Sequence, residues 1–250
     1  MRLLDEVGAK GTFLTVGWIA EKYPCLIKTI SDLGHEIGCH GYYHRLIFEQ
    51  TPEQFREEVS RCRKLLQDIT GQEVTCYRAP GFSMRRDCFW AYPILVEEGF
   101  QTDISLVPAS RDHGGIKGFS PKPFILRTSS GNINIFPVSV MRIAGKTIPF
   151  SGGGYLRFLP MPFIEFGYRQ NHKQGLPVMS YIHPREINVA QPRLDLPLLK
   201  RFKCYVGLKH CKTKLRRLLK TYRYDTVSAV LDNYNSLHVL SLKNGGICNA

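Results

Sequence analysis

A chain of 250 residues, 43% of them apolar, has the material for one large domain with a sizeable core. Its longest apolar run, around Ile133 to Met141, is too short to cross a bilayer and contains Pro137, so no membrane-spanning helix is expected. The formal charge of +13 gathers toward the C-terminus without any recognised nucleic-acid motif, so nucleic acid is not an expected partner.

The first residues, Met1-Arg2-Leu3-Leu4-Asp5-Glu6, lack the apolar core of a signal peptide, and the chain as given is expected in the cytoplasm. Eight cysteines without a CxxC pair read as reduced, mostly buried thiols. Residues 1–7 read as the end of a helix stopped by Gly8, and residues 12–16 as a strand. A helix with Pro24 near its start runs to Gly34, and a short strand, 36–39, leads to His40. Thr51-Pro52-Glu53-Gln54 is a capping box with proline at the first helical position. The helix behind it carries Phe55, Val59, Cys62, Leu66 and Ile69 on one face and ends at Gly71.

A strand then stops at Arg78, where Pro80-Gly81 turns the chain. A helix over about 87–98 ends at Gly99, and a further strand ends at Asp103. Alternating units of this kind predict parallel strands joined by helices. Residues 125–127 and 133–136 flank Ser129-Ser130-Gly131-Asn132 and read as an inserted hairpin. Residues 151–155 read as a loop, about 162–174 as a helix, and 177–183 as a last strand broken by Pro184. From Lys200 to Arg223 there are ten Lys/Arg and no acid, interleaved with apolar residues at helical spacing. A helix of this kind packs one face on the core and turns a basic face to solvent, where it is suited to peripheral contact with an anionic membrane surface.

The expected architecture is therefore a single α/β domain over 1–250, a barrel of parallel strands and helices. Residues 1–123 form the barrel core, 124–175 the hairpin and Gly-rich loop insertion, and 176–250 the last strand and the basic helix. The chain opens in a helix that would follow a strand, so the barrel is expected to lack its first strand.

His40 and His44 stand four residues apart just past a strand, a spacing at which two imidazoles point the same way and can share one divalent metal. Alone the pair is weak, because a polar residue past a strand end is commonly solvated or capping. Arg78, Asp103 and His183 each close a further strand-like run, however. In barrels of parallel strands the reactive groups gather at the C-terminal strand ends, so the four ends are expected to share one cleft.

With these residues in view, the sequence resembles the polysaccharide deacetylase family, whose nodulation-type members remove N-acetyl groups from sugar polymers on a distorted (β/α) barrel, the fold the resemblance implies here. The resemblance rests on residues 11–14 (Gly-Thr-Phe-Leu), 34–40 (Gly-His-Glu-Ile-Gly-Cys-His) and Arg78-Ala79-Pro80, in that order. Residues 152–157 and 183–193 resemble the C-terminal extension of a subgroup tied to exopolysaccharide synthesis. The resemblance implies zinc or another divalent metal on His40 and His44, His183 as general acid, Arg78 orienting the base and Asp103 tuning the acid. It also implies Gly81, Phe82 and Tyr155 at the substrate, an N-acetylated polysaccharide or lipid-linked oligosaccharide. The family's metal-binding Asp and its Asp base both belong to the missing strand. The alternative is a catalytically dead truncated relative that binds glycans or scaffolds a complex.

Overall fold

The computed structural model describes residues 1–110, 113–235, 237–243 and 245–249. The strands in chain order are β1 (Thr12–Thr15), β2 (Glu36–Cys39), β3 (Cys76–Tyr77), β4 (Thr102–Asp103), β5 (Phe124–Thr128), β6 (Gly131–Ile135), β7 (Val140–Ile143), β8 (Lys146–Pro149), β9 (His238–Lys243) and β10 (Gly246–Asn249). Contacts divide the chain into two units. One comprises residues 8–138 and 224–250 with Met1, the other residues 2–7 and 139–223.

In the first unit an eight-stranded sheet runs β1-β2-β3-β4-β6-β5-β9-β10. β1 to β4 are mutually parallel, in the register Thr15↔Cys39, Cys39↔Tyr77, Tyr77↔Asp103. The ladder continues past the strand ends: His40 N–H donates to Thr15 O, Arg78 N–H to Cys39 O and Ile104 N–H to Tyr77 O. Parallel pairing through helical crossovers thus sets the residues that follow β2 and β3 side by side along one sheet edge. The 125–136 hairpin forms as β5 and β6, with a two-residue turn between Thr128 and Gly131. It is part of the sheet: β6 pairs parallel with β4, and β5 with β9.

The helices show how local chemistry fixes boundaries. Pro52–Thr70 begins in the expected capping box, buries Phe55, Val59, Cys62 and Leu66, and ends at Gly71 in the left-handed conformation. The 87–98 prediction divides into a short 3-10 turn, Arg86–Cys88, and a helix Ala91–Glu97. Pro93 lacks an N–H and fits only the first turn, so the helix starts at Ala91 and no earlier. Phe55, Tyr77 and Phe100 pack edge-to-face in the core, with ring centroids 5.7–5.8 Å apart. Cys39, Cys62, Cys76, Cys88 and Cys211 are buried free thiols, as expected.

The second unit holds the β7–β8 hairpin and helices Gly153–Phe158, Met161–His172, Pro184–Ile187, Leu198–Tyr205 and Leu208–Thr221. It departs from the sequence reading three times. Residues expected as a Gly-rich loop begin a helix at Gly153. The 177–183 strand is reduced to one bridge, Gly152↔Tyr181, because serine side chains replace ladder bonds. Met179 N–H donates to Ser139 Oγ (2.9 Å), and Ser151 Oγ donates to Met179 O (2.6 Å). The basic helix is broken at Gly207, whose φ of +69° suits glycine and where a Cβ would lie 2.1 Å from the Arg157 carbonyl oxygen.

Candidate active site

His40 and Arg78, neighbours by strand register, grip each other twice. Arg78 Nη2 lies 3.0 Å from His40 Nε2, and His40 Nδ1 lies 2.6 Å from Arg78 O. A guanidinium can only donate, so Nε2 carries the lone pair and Nδ1 the proton that reaches the carbonyl. Both side chains are buried. His44 is exposed, and its ring meets His40 edge-on with centroids 4.9 Å apart.

The loop between the two histidines is tightly held. Gly41 and His44 take φ of +72° and +61°, reversing the chain within one turn. Gly17 N–H donates to Gly41 O at 2.9 Å. The Tyr42 hydroxyl donates to Glu21 and accepts from Arg61 Nη2 (2.7 Å), whose guanidinium stacks 3.8 Å over the tyrosine ring. Buried Glu58 accepts from Tyr43 N–H (3.4 Å) and pairs with Arg45 (3.3 Å). A groove lined by Tyr43, Arg45, Gln54, Glu57 and Arg61 runs beside this loop. This lining is polar and charged, with the Tyr43 ring half exposed at its side.

Behind Arg78 sits Phe82, buried, with the guanidinium carbon 5.1 Å from its ring centre. The structure thus places Phe82 as a support for Arg78. Gly81, at φ +63°, forms the turn between them. Asp103 is fully buried and faces Ser105: it accepts from Ser105 Oγ and from Ser105 N–H (3.1 Å). Ser105 Oγ in turn accepts from Ala79 N–H at 2.7 Å. Asp103 therefore braces the turn that carries Arg78. Burial pushes its carboxyl up to about 7, against the opposing pull of the Ser105 hydrogen bonds.

His183 belongs to the second unit, as the residue that opens helix Pro184–Ile187. Its N–H donates to Glu186 Oε2 (3.0 Å), and its Nδ1 lies 3.8 Å from Glu186 Oε1. Glu186 is fully buried and bonded by Arg157 Nε at 3.3 Å. Burial alone would raise the Glu186 carboxyl, but hydrogen bonds from His183 and the charges of His183 and Arg157 hold it below the usual carboxylate range. Arg157 also donates to the carbonyls of Lys203, Cys204 and Val206, closing the C-terminus of Leu198–Tyr205. Tyr155 is half-buried in Gly153–Phe158.

The structure therefore gathers His40, His44, Arg78, Gly81, Phe82 and Asp103 around one turn of the first unit and ties His183 to Glu186 and Arg157 in the second. Sequence reading missed Glu58, Ser105, Arg157 and Glu186. Only Glu186 left a signal, as the third residue after His183 in a Pro-started helix.

A metal fits these residues in part. The His40 tautomer leaves Nε2 as a ligand atom, and the His44 ring is adjacent. Among the described residues, however, no group of three His, Cys, Asp or Glu side chains could hold an ion, and Arg78 occupies the His40 lone pair. Two imidazoles fall short of the three protein ligands usual in catalytic zinc sites.

Residues 1–92 match the polysaccharide deacetylase family, and residues 104–232 match a domain of unknown function, DUF3473. A peptidoglycan deacetylase-like protein of Gibberella zeae is 32% identical over 108 residues, 42% of this chain and 31% of its own. A peptidoglycan-N-acetylglucosamine deacetylase of Bacillus cereus is 29% identical over 146 residues, 56% of this chain and 48% of its own. The chain thus spans less than half the length of either curated relative. Among solved structures, an inferred polysaccharide deacetylase from Mycobacterium smegmatis superposes with a TM-score of 0.62 at 20% identity, covering 94% of this chain and 75% of that one. A CE4 family pseudoenzyme from Bacillus anthracis superposes at 0.51 and 14% identity, covering 92% and 58%. These two likenesses establish the α/β deacetylase-like fold.

Proposed function

We propose that this chain, which belongs over residues 104–232 to the family of the domain of unknown function DUF3473 and matches the polysaccharide deacetylase family over residues 1–92, is a hydrolase removing N-acetyl groups from a carbohydrate polymer. The substrate class is an N-acetylated exopolysaccharide or its lipid-linked precursor. The observation that carries the reading is the His40–His44 pair, held at the parallel strand ends with Arg78 fixing the tautomer that leaves Nε2 a ligand atom. The Bacillus cereus relative, named for peptidoglycan N-acetylglucosamine, supports an N-acetyl sugar as the group recognised.

In this reading His40 and His44 would hold a divalent metal, most simply zinc, which when bound would polarise the acetyl carbonyl. Water adds to the acetyl carbon and gives one proton to solvent, the C–N bond breaks, acetic acid leaves and ionises to acetate, and the departing amine is assigned its proton from His183, which regains it from solvent. Glu186 holds His183 by its backbone N–H and stands beside its Nδ1. The Gly81 N–H is assigned to the acyl oxygen, while Asp103, through Ser105, and Phe82 keep the Arg78 turn in place. Tyr155 is assigned to the glycan. The test is acetate release from N-acetylated chito-oligosaccharides and peptidoglycan fragments. His183→Ala is expected to lower turnover by about 10²–10⁴-fold with substrate binding retained, and a protein that releases no acetate from either substrate sinks the reading.

The second reading is a glycan-binding or scaffolding protein without turnover. It is favoured by one observation, that the described donors stop at two imidazoles with Arg78 on His40 Nε2. Binding of the same oligosaccharides that Tyr43→Ala weakens, without acetate release, is its signature.

A further inference from the structure

The second unit exposes large apolar side chains where a packed surface would hide them. Phe158 is 61% exposed, Leu194 67%, Leu198 84% and Phe202 55%. They lie together. Leu198 and Phe202 are one turn apart on the same face of Leu198–Tyr205. Phe158 meets Phe202 edge-on at 6.5 Å, and Leu194 N–H bonds the Tyr205 hydroxyl at 2.8 Å. Exposed Arg201, three residues after Leu198, flanks this face on the same short helix, and exposed Arg193 stacks over the Tyr205 ring at 5.2 Å. Asp195 is the acid in this segment.

We propose that this face, Phe158, Leu194, Leu198 and Phe202 flanked by Arg193 and Arg201, docks the protein on an anionic lipid bilayer. The choice of partner follows from charge and apolarity together. A second copy would bring the same stretch, ten Lys/Arg and no acid from Lys200 to Arg223, against itself. An acidic polymer would satisfy the charges but offers nothing to cover four apolar side chains. A bilayer with anionic headgroups supplies both, the acyl boundary for the rings and leucines and the headgroups for the cations. The contact proposed is peripheral, made by side chains on the surface of helix Leu198–Tyr205 and its neighbours. The inference stands independently of the reaction proposed above.

Vesicle co-sedimentation of the full chain tests it. Binding is expected to vesicles of phosphatidylcholine with phosphatidylglycerol, and far less to phosphatidylcholine alone. Arg193→Gln with Arg201→Gln should weaken it roughly thirtyfold, and Leu198→Ser with Phe202→Ser should remove most of what remains. In Phe202→Trp, vesicles should shift the indole emission to the blue. All these positions are exposed, and an unchanged urea midpoint confirms that the fold is intact. The proposal is overturned by absence of vesicle binding, or by binding that Leu198→Ser with Phe202→Ser leaves intact. It is equally overturned by self-association that the apolar substitutions abolish without vesicles, or by tighter binding to polygalacturonate than to the anionic vesicles.

Discussion

Arg78 donates through Nη2 to His40 Nε2 at 3.0 Å while its own carbonyl lies 2.6 Å from His40 Nδ1, so one residue sets the tautomer of the imidazole and also occupies its lone pair. These two contacts have opposite consequences for a metal. The carbonyl prepares His40 as a ligand, and the guanidinium competes for the ligand atom.

Zinc is therefore expected to bind this chain weakly, well below a three-ligand site. Arg78→Met should strengthen binding about tenfold, because the charge-assisted hydrogen bond no longer has to be broken first. Titration calorimetry on the wild type, Arg78→Met and His40→Ala separates the possibilities. Tight binding that survives His40→Ala would place the ion elsewhere.

Asp103 gives a pH signature. Its carboxyl moves from an ordinary 3.8 to about 7 in the fold, so between those values the folded state binds a proton that the unfolded state has lost. Stability from this group is then present below about 4, falls as pH rises through 7, and is flat above, by on the order of 4 kcal/mol in all. Carboxylates held low, such as Glu186, slope the other way, so the comparison must be with Asp103→Asn. That variant should lose the fall between pH 4 and 7 in urea unfolding, and an unchanged slope would mean Asp103 stays charged.

What the sequence made legible was local chemistry with a fixed period or spacing. The capping box at Thr51 and the buried face Phe55, Val59, Cys62 and Leu66 appear as read, because both depend on neighbours within a few residues. The ends of β2 and β3 also appear as read, which places His40 beside Arg78. The strand expected over 177–183 failed for a non-local reason: hydroxyls at Ser139 and Ser151, far away in sequence, take the Met179 backbone groups. The break at Gly207 depends on the Arg157 carbonyl fifty residues upstream, which no window on a helical pattern contains. The sequence singles out Asp103 and Phe82 but not the direction of their side chains, since burial behind Arg78 is decided by the packed sheet.

The Thr51 cap offers a small, clean measurement. Its hydroxyl accepts from Gln54 N–H (3.3 Å) while Gln54 Oε1 accepts from Thr51 N–H (3.0 Å). Thr51→Ala should cost about 1 kcal/mol, read as a lower urea midpoint with unchanged slope. A loss within error would mean that Pro52 and tertiary packing fix the helix start without the cap.

Arg157 should be a sensitive position of the second unit. Its guanidinium is buried, pairs with fully buried Glu186, and donates to the carbonyls of Lys203, Cys204 and Val206. Arg157→Ala leaves the Glu186 charge without its cation and is expected to cost about 3–5 kcal/mol. Arg157→Met with Glu186→Gln removes both charges and should recover a large part of that loss, because an uncompensated buried charge is the costly element. Hydrogen exchange reads the location: amides of Pro184–Ile187 and Leu198–Tyr205 should lose protection in Arg157→Ala, while those of β1 to β4 keep theirs. If the double variant is as unstable as Arg157→Ala, the carbonyl bonds to Leu198–Tyr205 carry the stability, and Glu186 serves only to hold His183.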